Sequence, residues 1–199
     1  GKIEGHEIAF SFLSDSLQEL ELQLEDTKSE HNLLAKKIRE LRQEENEARA
    51  KIKALGLQMQ QSAKWLMKHN VPGVPEEYTS QLKVAQEALQ ETAAKLEEKP
   101  LDMDSVHLHL EKAAASVEIF SGQTKQLIEE MLLTEKVIQY ANRYRSRYPA
   151  LQAALQEAEE HVRNYEYGAA LEGAAAALED VEPGSIKEMK VQLEYEQAN

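Results

Sequence analysis

From Phe10 to Leu66 the chain sets one helical stripe at steps of three and four residues, without a break. That alternation is the heptad signature of a helix that lays a narrow apolar seam along a partner. Phe10, Leu13, Leu17, Leu20, Leu24 and Leu34 fill most of its first half, and Ile38, Leu41, Ile52, Leu55, Met59 and Leu66 most of the second. Only Thr27, His31, Glu45 and Ser62 are polar. The spacing predicts one helix from residue 7 to Asn70, roughly 90 Å long at ~1.5 Å per residue. A helix of that length buries its seam only against other long helices, which restricts the fold more than any other feature. It must stop at Val71-Pro72-Gly73-Val74-Pro75, where two prolines and a glycine cannot continue it.

The same rhythm continues. Tyr78, Leu82, Ala85, Leu89, Thr92 and Leu96 predict a shorter helix that ends before Pro100. Asp102 or Asp104 can cap the next one, whose seam runs from Val106 through Phe120, Leu127 and Ile138 to Arg145 and Tyr148. Pro149 stands where a helix restarts, in its favoured first-turn position. Leu151, Leu155, Ala158, Val162 and Tyr165 line that helix, which pauses near Gly168. Leu171, Ala174, Leu178 and Val181 then lie on a stripe of mostly small side chains. Glu182-Pro183-Gly184 reads as a turn, and Ser185 as the cap of a short terminal helix. With eight glycines and five prolines in 199 residues, the composition also suits long helices. The expected fold class is all-α.

Cutting each long helix at its middle yields pieces in threes. Residues 39 to 70, 76 to 98 and 102 to 124 make one set; 125 to 148, 149 to 166 and 168 to 181 make another. Spectrin-like three-helix bundles stack this way, the last helix of one bundle running on as the first of the next. The expected domains are therefore a repeat over 39–124 and a C-terminal repeat over 125–199 that includes the short terminal helix. Residues 7–38 carry a full seam with no partner left in the chain. They are expected either to complete an upstream repeat absent here or to self-associate through residues 10–38.

A formal net charge of −13 argues against general nucleic-acid binding, which needs a basic surface, and against attraction to anionic lipid. The chain has no cysteine, so disulfides and cysteine metal sites are excluded. No segment approaches the roughly 20 apolar residues that span a bilayer. His107 and His109 fall on opposite faces of a helix, and His107 with Glu111 makes an incomplete metal site. His31 sits in the seam, where a lone polar residue sets register. Glu44-Glu45, Glu97-Glu98 and Glu159-Glu160 read as helix-surface charge, Trp65 as core, and no glycine loop cradles phosphate. No catalytic, cofactor or metal residue is expected, and the chain reads as a non-enzyme.

One segment stands out. Gln139 to Pro149, QYANRYRSRYP, holds three of the seven arginines, whereas residues 153 to 199 hold eleven acids against three bases. Basic residues near a helix end complement its dipole and can pair with acidic helices folded beside them. Arginine and tyrosine are also enriched at binding hot spots. Helical projection separates three strips. Arg145 lies on the seam and requires a carboxylate from a neighbouring helix, because a buried unpaired charge is costly. Tyr140, Tyr144 and Arg147 form a second strip that projection leaves open. Gln139, Asn142 and Arg143 form a third, which packing does not explain.

QYANRYRSRYP, NVPGVPEEY (Asn70 to Tyr78) and ALEDVEPG (Ala177 to Gly184) together resemble, in the same order, the C-terminal part of the EzrA family of septation ring formation regulators. The resemblance implies a cytoplasmic rod of spectrin-like repeats at the division septum. It also implies an N-terminal membrane anchor, not present in this chain, and negative regulation of ring assembly by the tubulin-like protein FtsZ. The family's Gln-Asn-Arg patch maps onto Gln139, Tyr140, Ala141, Asn142, Arg143, Tyr144 and Arg145. With Arg147 added, the expected protein-binding patch is Gln139, Tyr140, Asn142, Arg143, Tyr144, Arg145 and Arg147, its partners FtsZ and other division proteins. A scaffold joining the ring to cell-wall synthesis proteins is the alternative the resemblance leaves open; an architectural dimeriser is the alternative the seam leaves open.

Overall fold

The computed structural model describes residues 1–198, and among these the ordered elements are all α-helical. They are α1 (Lys2–Lys68), α2 (Glu76–Glu97), α3 (Met103–Ala141), α4 (Pro149–Arg163), α5 (Tyr167–Val181) and α6 (Ser185–Ala198). The expected all-α class is therefore what the chain adopts. Residues 1–49 form one unit and the chain from Ala50 onward forms another.

The first unit is a single stretch of α1, and its apolar stripe faces solvent: Phe10 is 76 % exposed, Leu17 60 % and Leu34 57 %.

The second unit is organised around α3, which contributes to two adjoining cores. In the first, Tyr78 and Ala85 of α2 meet Val117, Phe120, Leu127 and Met131 of α3, with Leu55, Met59 and Leu66 of α1 packed beside them. The rings of Tyr78 and Phe120 lie 5.0 Å apart, and the Tyr78 hydroxyl shares a 2.7 Å hydrogen bond with that of Thr124. Ser62, a polar seam residue, is buried because its hydroxyl donates to that of Ser121 at 3.3 Å. The second core joins Leu133, Val137 and Ala141 of α3 to Leu151 and Leu155 of α4, Ala174 and Leu178 of α5, and Met189 and Leu193 of α6. The fully buried Ala170 and Ala174 let α5 approach closely.

Local signals act as chemistry demands. The Asp102 carboxylate accepts from the Ser105 amide at 3.2 Å and caps α3. Pro149 opens α4. The Val71 to Pro75 turn is tied down by Tyr167, whose hydroxyl donates to the Gly73 carbonyl at 2.9 Å. Gly73 lies under the ring of Tyr165, which a Cβ at this position would overlap.

Several expectations fail. Tyr165 lies past the end of α4, exposed and at φ 63°, instead of on its apolar face, and the buried Ser185 hydroxyl finds no hydrogen-bond partner, so it does not cap α6. Trp65 is only half-buried, with the Lys125 ammonium 5.4 Å from its ring centroid, because it stands at the rim of a cleft rather than inside a core. The third helix ends at Ala141 instead of continuing to Tyr148. From Asn142 the backbone winds more tightly: the Tyr144 amide donates to Ala141 at 2.9 Å and that of Arg147 to Tyr144 at 3.0 Å. Three residues per turn replaces 3.6, so a heptad projection loses phase there. Pro149 also drives Tyr148 into extended backbone (φ −124°, ψ 100°), and its side chain is exposed instead of lying on the seam.

Candidate protein-docking site

The Arg/Tyr segment occupies the end of α3 and the tight turn that leads to Pro149. The turn breaks the helical phase, yet Tyr140 and Tyr144 keep a common face and Asn142 and Arg143 stay exposed as the projection has them; Gln139 and Tyr148 are the residues that depart from it.

Tyr140 and Tyr144 point toward the end of α5. Both hydroxyls donate to the Glu182 carboxylate, at 2.7 and 2.8 Å, one to each oxygen. The three tyrosine rings form a ladder: Tyr140 to Tyr144 is 6.3 Å, tilted, and Tyr144 to Tyr148 is 6.4 Å, edge-on. Arg145 meets the carboxylate its charge requires. Its guanidinium donates to both oxygens of Glu159 on α4, at 2.7 and 3.2 Å, and to the Asn142 amide oxygen at 3.3 Å. Such fork-to-fork geometry fixes orientation as well as charge.

Asn142, Arg143 and Arg147 are exposed. The Arg143 guanidinium lies over the Tyr140 ring, 3.9 Å from its centroid, a cation–π contact that aligns it without enclosing it. Gln139 goes elsewhere. It lines an open cleft of ≈ 720 Å³ with Trp65, Lys125, Lys136 and Leu193, where Lys136 pairs with Glu196 at 2.8 Å.

The charges respond to this arrangement. The two tyrosine hydroxyls, then Arg143, hold the Glu182 carboxyl below the usual carboxylate range. The hydrogen bond to Glu182 pushes Tyr140 up to about 12 and raises Tyr144 as well. Arg145 likewise lowers Glu159, and Glu159 raises Arg145. The result is a turn clamped at two carboxylates, with Asn142 and Arg143 held outward beside an aromatic face. It offers directional hydrogen-bond donors and a cation for a partner, and no nucleophile or acid/base pair is assembled there.

Glu159 and Glu182 are the residues sequence reasoning did not assign. Glu159 lay in what reads as a surface charge pair, and Glu182 in a turn. Each reaches the segment from 14 to 42 residues away, beyond the reach of any periodicity. Among the described residues, no group of three or more His, Asp or Glu is placed to hold a metal ion, and no helix is long and apolar enough to cross a membrane.

The chain matches the family model described as "Septation ring formation regulator, EzrA" over residues 1–193. It is similar to curated proteins named Septation ring formation regulator EzrA. That of Geobacillus sp. (strain WCH70) is 43 % identical over 72 % of this chain and 25 % of the relative. Those of Bacillus pumilus and Listeria innocua are 33 % and 37 % identical, each over 98 % of this chain and 34 % of the relative. The chain thus spans about a third of the length of the relatives it matches from end to end. No solved structure matches it. A family match over nearly every residue, agreeing with relatives above 30 % identity, establishes that the chain belongs to the EzrA family of septation ring formation regulators.

Proposed function

We propose that this chain is a non-enzymatic regulator of bacterial cell division that restrains FtsZ-ring assembly by docking a division protein on the turn after α3. The observation that carries this reading is the outward presentation of Asn142 and Arg143 by a turn clamped at Glu159 and Glu182. A surface whose polar side chains are held in place before binding loses little conformational freedom on docking. Tyr140, Tyr144, Arg145 and Arg147 flank the pair, and three of them, Tyr140, Tyr144 and Arg145, serve chiefly to hold it. FtsZ is the partner this reading selects, on the cytoplasmic face of the membrane at the septum.

In the same reading, residues 39–124 and 125–199 act as spectrin-like repeats that space the docking turn along a longer protein. Membrane attachment belongs to that longer protein.

The test is FtsZ sedimentation with the wild-type chain, an Asn142→Ala/Arg143→Ala variant and, as a control, Glu111→Gln on the exposed face of α3. Wild type and control should lower the pelleted FtsZ, and the double variant should not, with helicity and melting unchanged. A double variant that acts like wild type, or one that melts far lower, overturns the assignment of this turn.

A further inference from the structure

We propose that Tyr165 and Tyr167 form a clasp on Gly73 that fixes the angle between the two cores, and with it the direction in which the docking turn points. α3 runs from one core into the other: Leu127 and Met131 belong to the first, Leu133 and Val137 to the second. A long helix curves readily on its own, so the angle at this joint depends on what braces it from the side.

Two turns meet there, Val71 to Pro75 between α1 and α2, and Asn164 to Glu166 between α4 and α5. Their contact reverses the usual roles of glycine and tyrosine. Tyr165 takes φ 63° just past the end of α4, a left-handed position that glycine ordinarily fills and that strains a bulky residue. Gly73 has no positive φ, so its backbone does not require glycine. What it must lack is a side chain, because a Cβ would overlap the Tyr165 ring. A tyrosine stands where the backbone disfavours it, and a glycine where the backbone does not ask for it, to let one ring lie on one turn.

Tyr167 is the second prong. The other buried residues of α5, Ala170, Ala174 and Leu178, sit in the second core, yet the Tyr167 ring is 2 % exposed within the first. Its hydroxyl donates to the Gly73 carbonyl at 2.9 Å. The start of α5 is seated on α3 for this reach: the Tyr167 carbonyl lies 3.4 Å from the Thr134 hydroxyl, and a Cβ on Gly168 would come within 3.1 Å of Glu130 Oε2. Val162 of α4 also packs against both cores, but an apolar contact has no direction, which leaves the angle to the two tyrosines. The docking turn lies at the far end of α3, so an angle fixed at the joint fixes its direction relative to the first core. The clasp is independent of which division protein docks there.

The chain has no cysteine, so spin labels can be attached at chosen sites of the whole chain. Gln90→Cys on α2 and Gln152→Cys on α4, both exposed, place one label beside each core, and double electron–electron resonance reads the distance between them. With the clasp intact the distribution should be single and narrow. Tyr167→Phe keeps the buried ring and removes the hydroxyl; Tyr165→Gly suits the left-handed backbone and removes the ring. Each should broaden the distribution about twofold, as bending about α3 becomes accessible. Gly73→Ala should broaden it while Tyr165 is present and add nothing to Tyr165→Gly, a dependence that a general loss of stability would not produce. Helicity by circular dichroism should be the same in all these chains. A broad distribution with the clasp intact, a narrow one in Tyr167→Phe and Tyr165→Gly, a Gly73→Ala effect that persists without the Tyr165 ring, or helicity lost with the Tyr167 hydroxyl overturns the proposal.

Discussion

The Tyr140 hydroxyl donates to Glu182 at 2.7 Å, joining the last turn of α3 to the end of α5 across 42 residues. Tyr144 occupies the other oxygen of the same carboxylate, so one acid anchors two rungs of the tyrosine ladder. Arg143 rests on the first of these rings. The position of the exposed guanidinium is therefore set indirectly by an acid from a distant part of the chain, and charge at Glu182 should tune it.

That coupling predicts a pH signature. The folded pKa of Glu182 lies below its ordinary value of 4.5. Its contribution to stability is therefore complete above 4.5 and is lost as pH falls through the depressed value. Tyr140 runs the opposite way: its contribution is complete below 10.0 and lost as pH climbs through about 12. Urea denaturation of wild type and Glu182→Gln should show the variant less stable at neutral pH, with the gap closing in acid. A gap that persists at low pH would mean that the carboxylate charge is not what the tyrosines bind.

Arg145 and Glu159 make the second clamp, with side chains 27 % and 35 % exposed. Solvent screens a pair this open, so a double-mutant cycle should return about 0.5–1 kcal/mol of coupling. High salt should reduce it. Arg145→Lys should recover only part, because an ammonium cannot reproduce the two-pronged contact. A coupling near zero would leave the Glu182 clamp alone in holding the turn.

These clamps show where sequence legibility stops. The three-four rhythm locates α2, α3 and their buried faces because it reports a local repeat: Val106, Val117, Phe120 and Leu127 are buried where the seam puts them. It places Tyr148 wrongly because the backbone tightens after Ala141, and a repeat carries no information once its period changes. It anticipates that Arg145 needs an acid, from the cost of burying charge, but cannot name Glu159. Glu182 leaves no local trace: its use depends on how α5 returns to α3, a tertiary fact.

Burial along a single helix gives a direct stability contrast. Phe120 on α3 is 2 % exposed and Leu108 on the same helix 52 %. Phe120→Ala should cost about 3–5 kcal/mol, combining lost burial with a cavity. Leu108→Ala should stay within about 0.5 kcal/mol of wild type, as surface changes away from special contacts do. Chemical denaturation midpoints at equal m-value decide it; comparable losses at both sites would mean that Leu108 is covered in solution.

The buried threonines distinguish a hydroxyl that satisfies itself from one that satisfies a neighbour. Thr92 donates to the Ala88 carbonyl of its own helix at 2.7 Å. Thr124 donates likewise to Phe120 at 2.9 Å but also meets the Tyr78 hydroxyl at 2.7 Å. Valine at 92 removes a donor whose acceptor belongs to the helix ladder, so Thr92→Val should change stability little. Valine at 124 instead leaves a tyrosine hydroxyl without its partner inside the core, and Thr124→Val should cost about 1–3 kcal/mol. Adding Tyr78→Phe removes that orphan, so the double variant should recover much of the loss even though it carries one more substitution. Thermal melting of wild type, Thr92→Val, Thr124→Val, Tyr78→Phe and the double variant measures the difference, and additive losses in the double variant would show that the pairing contributes nothing beyond packing.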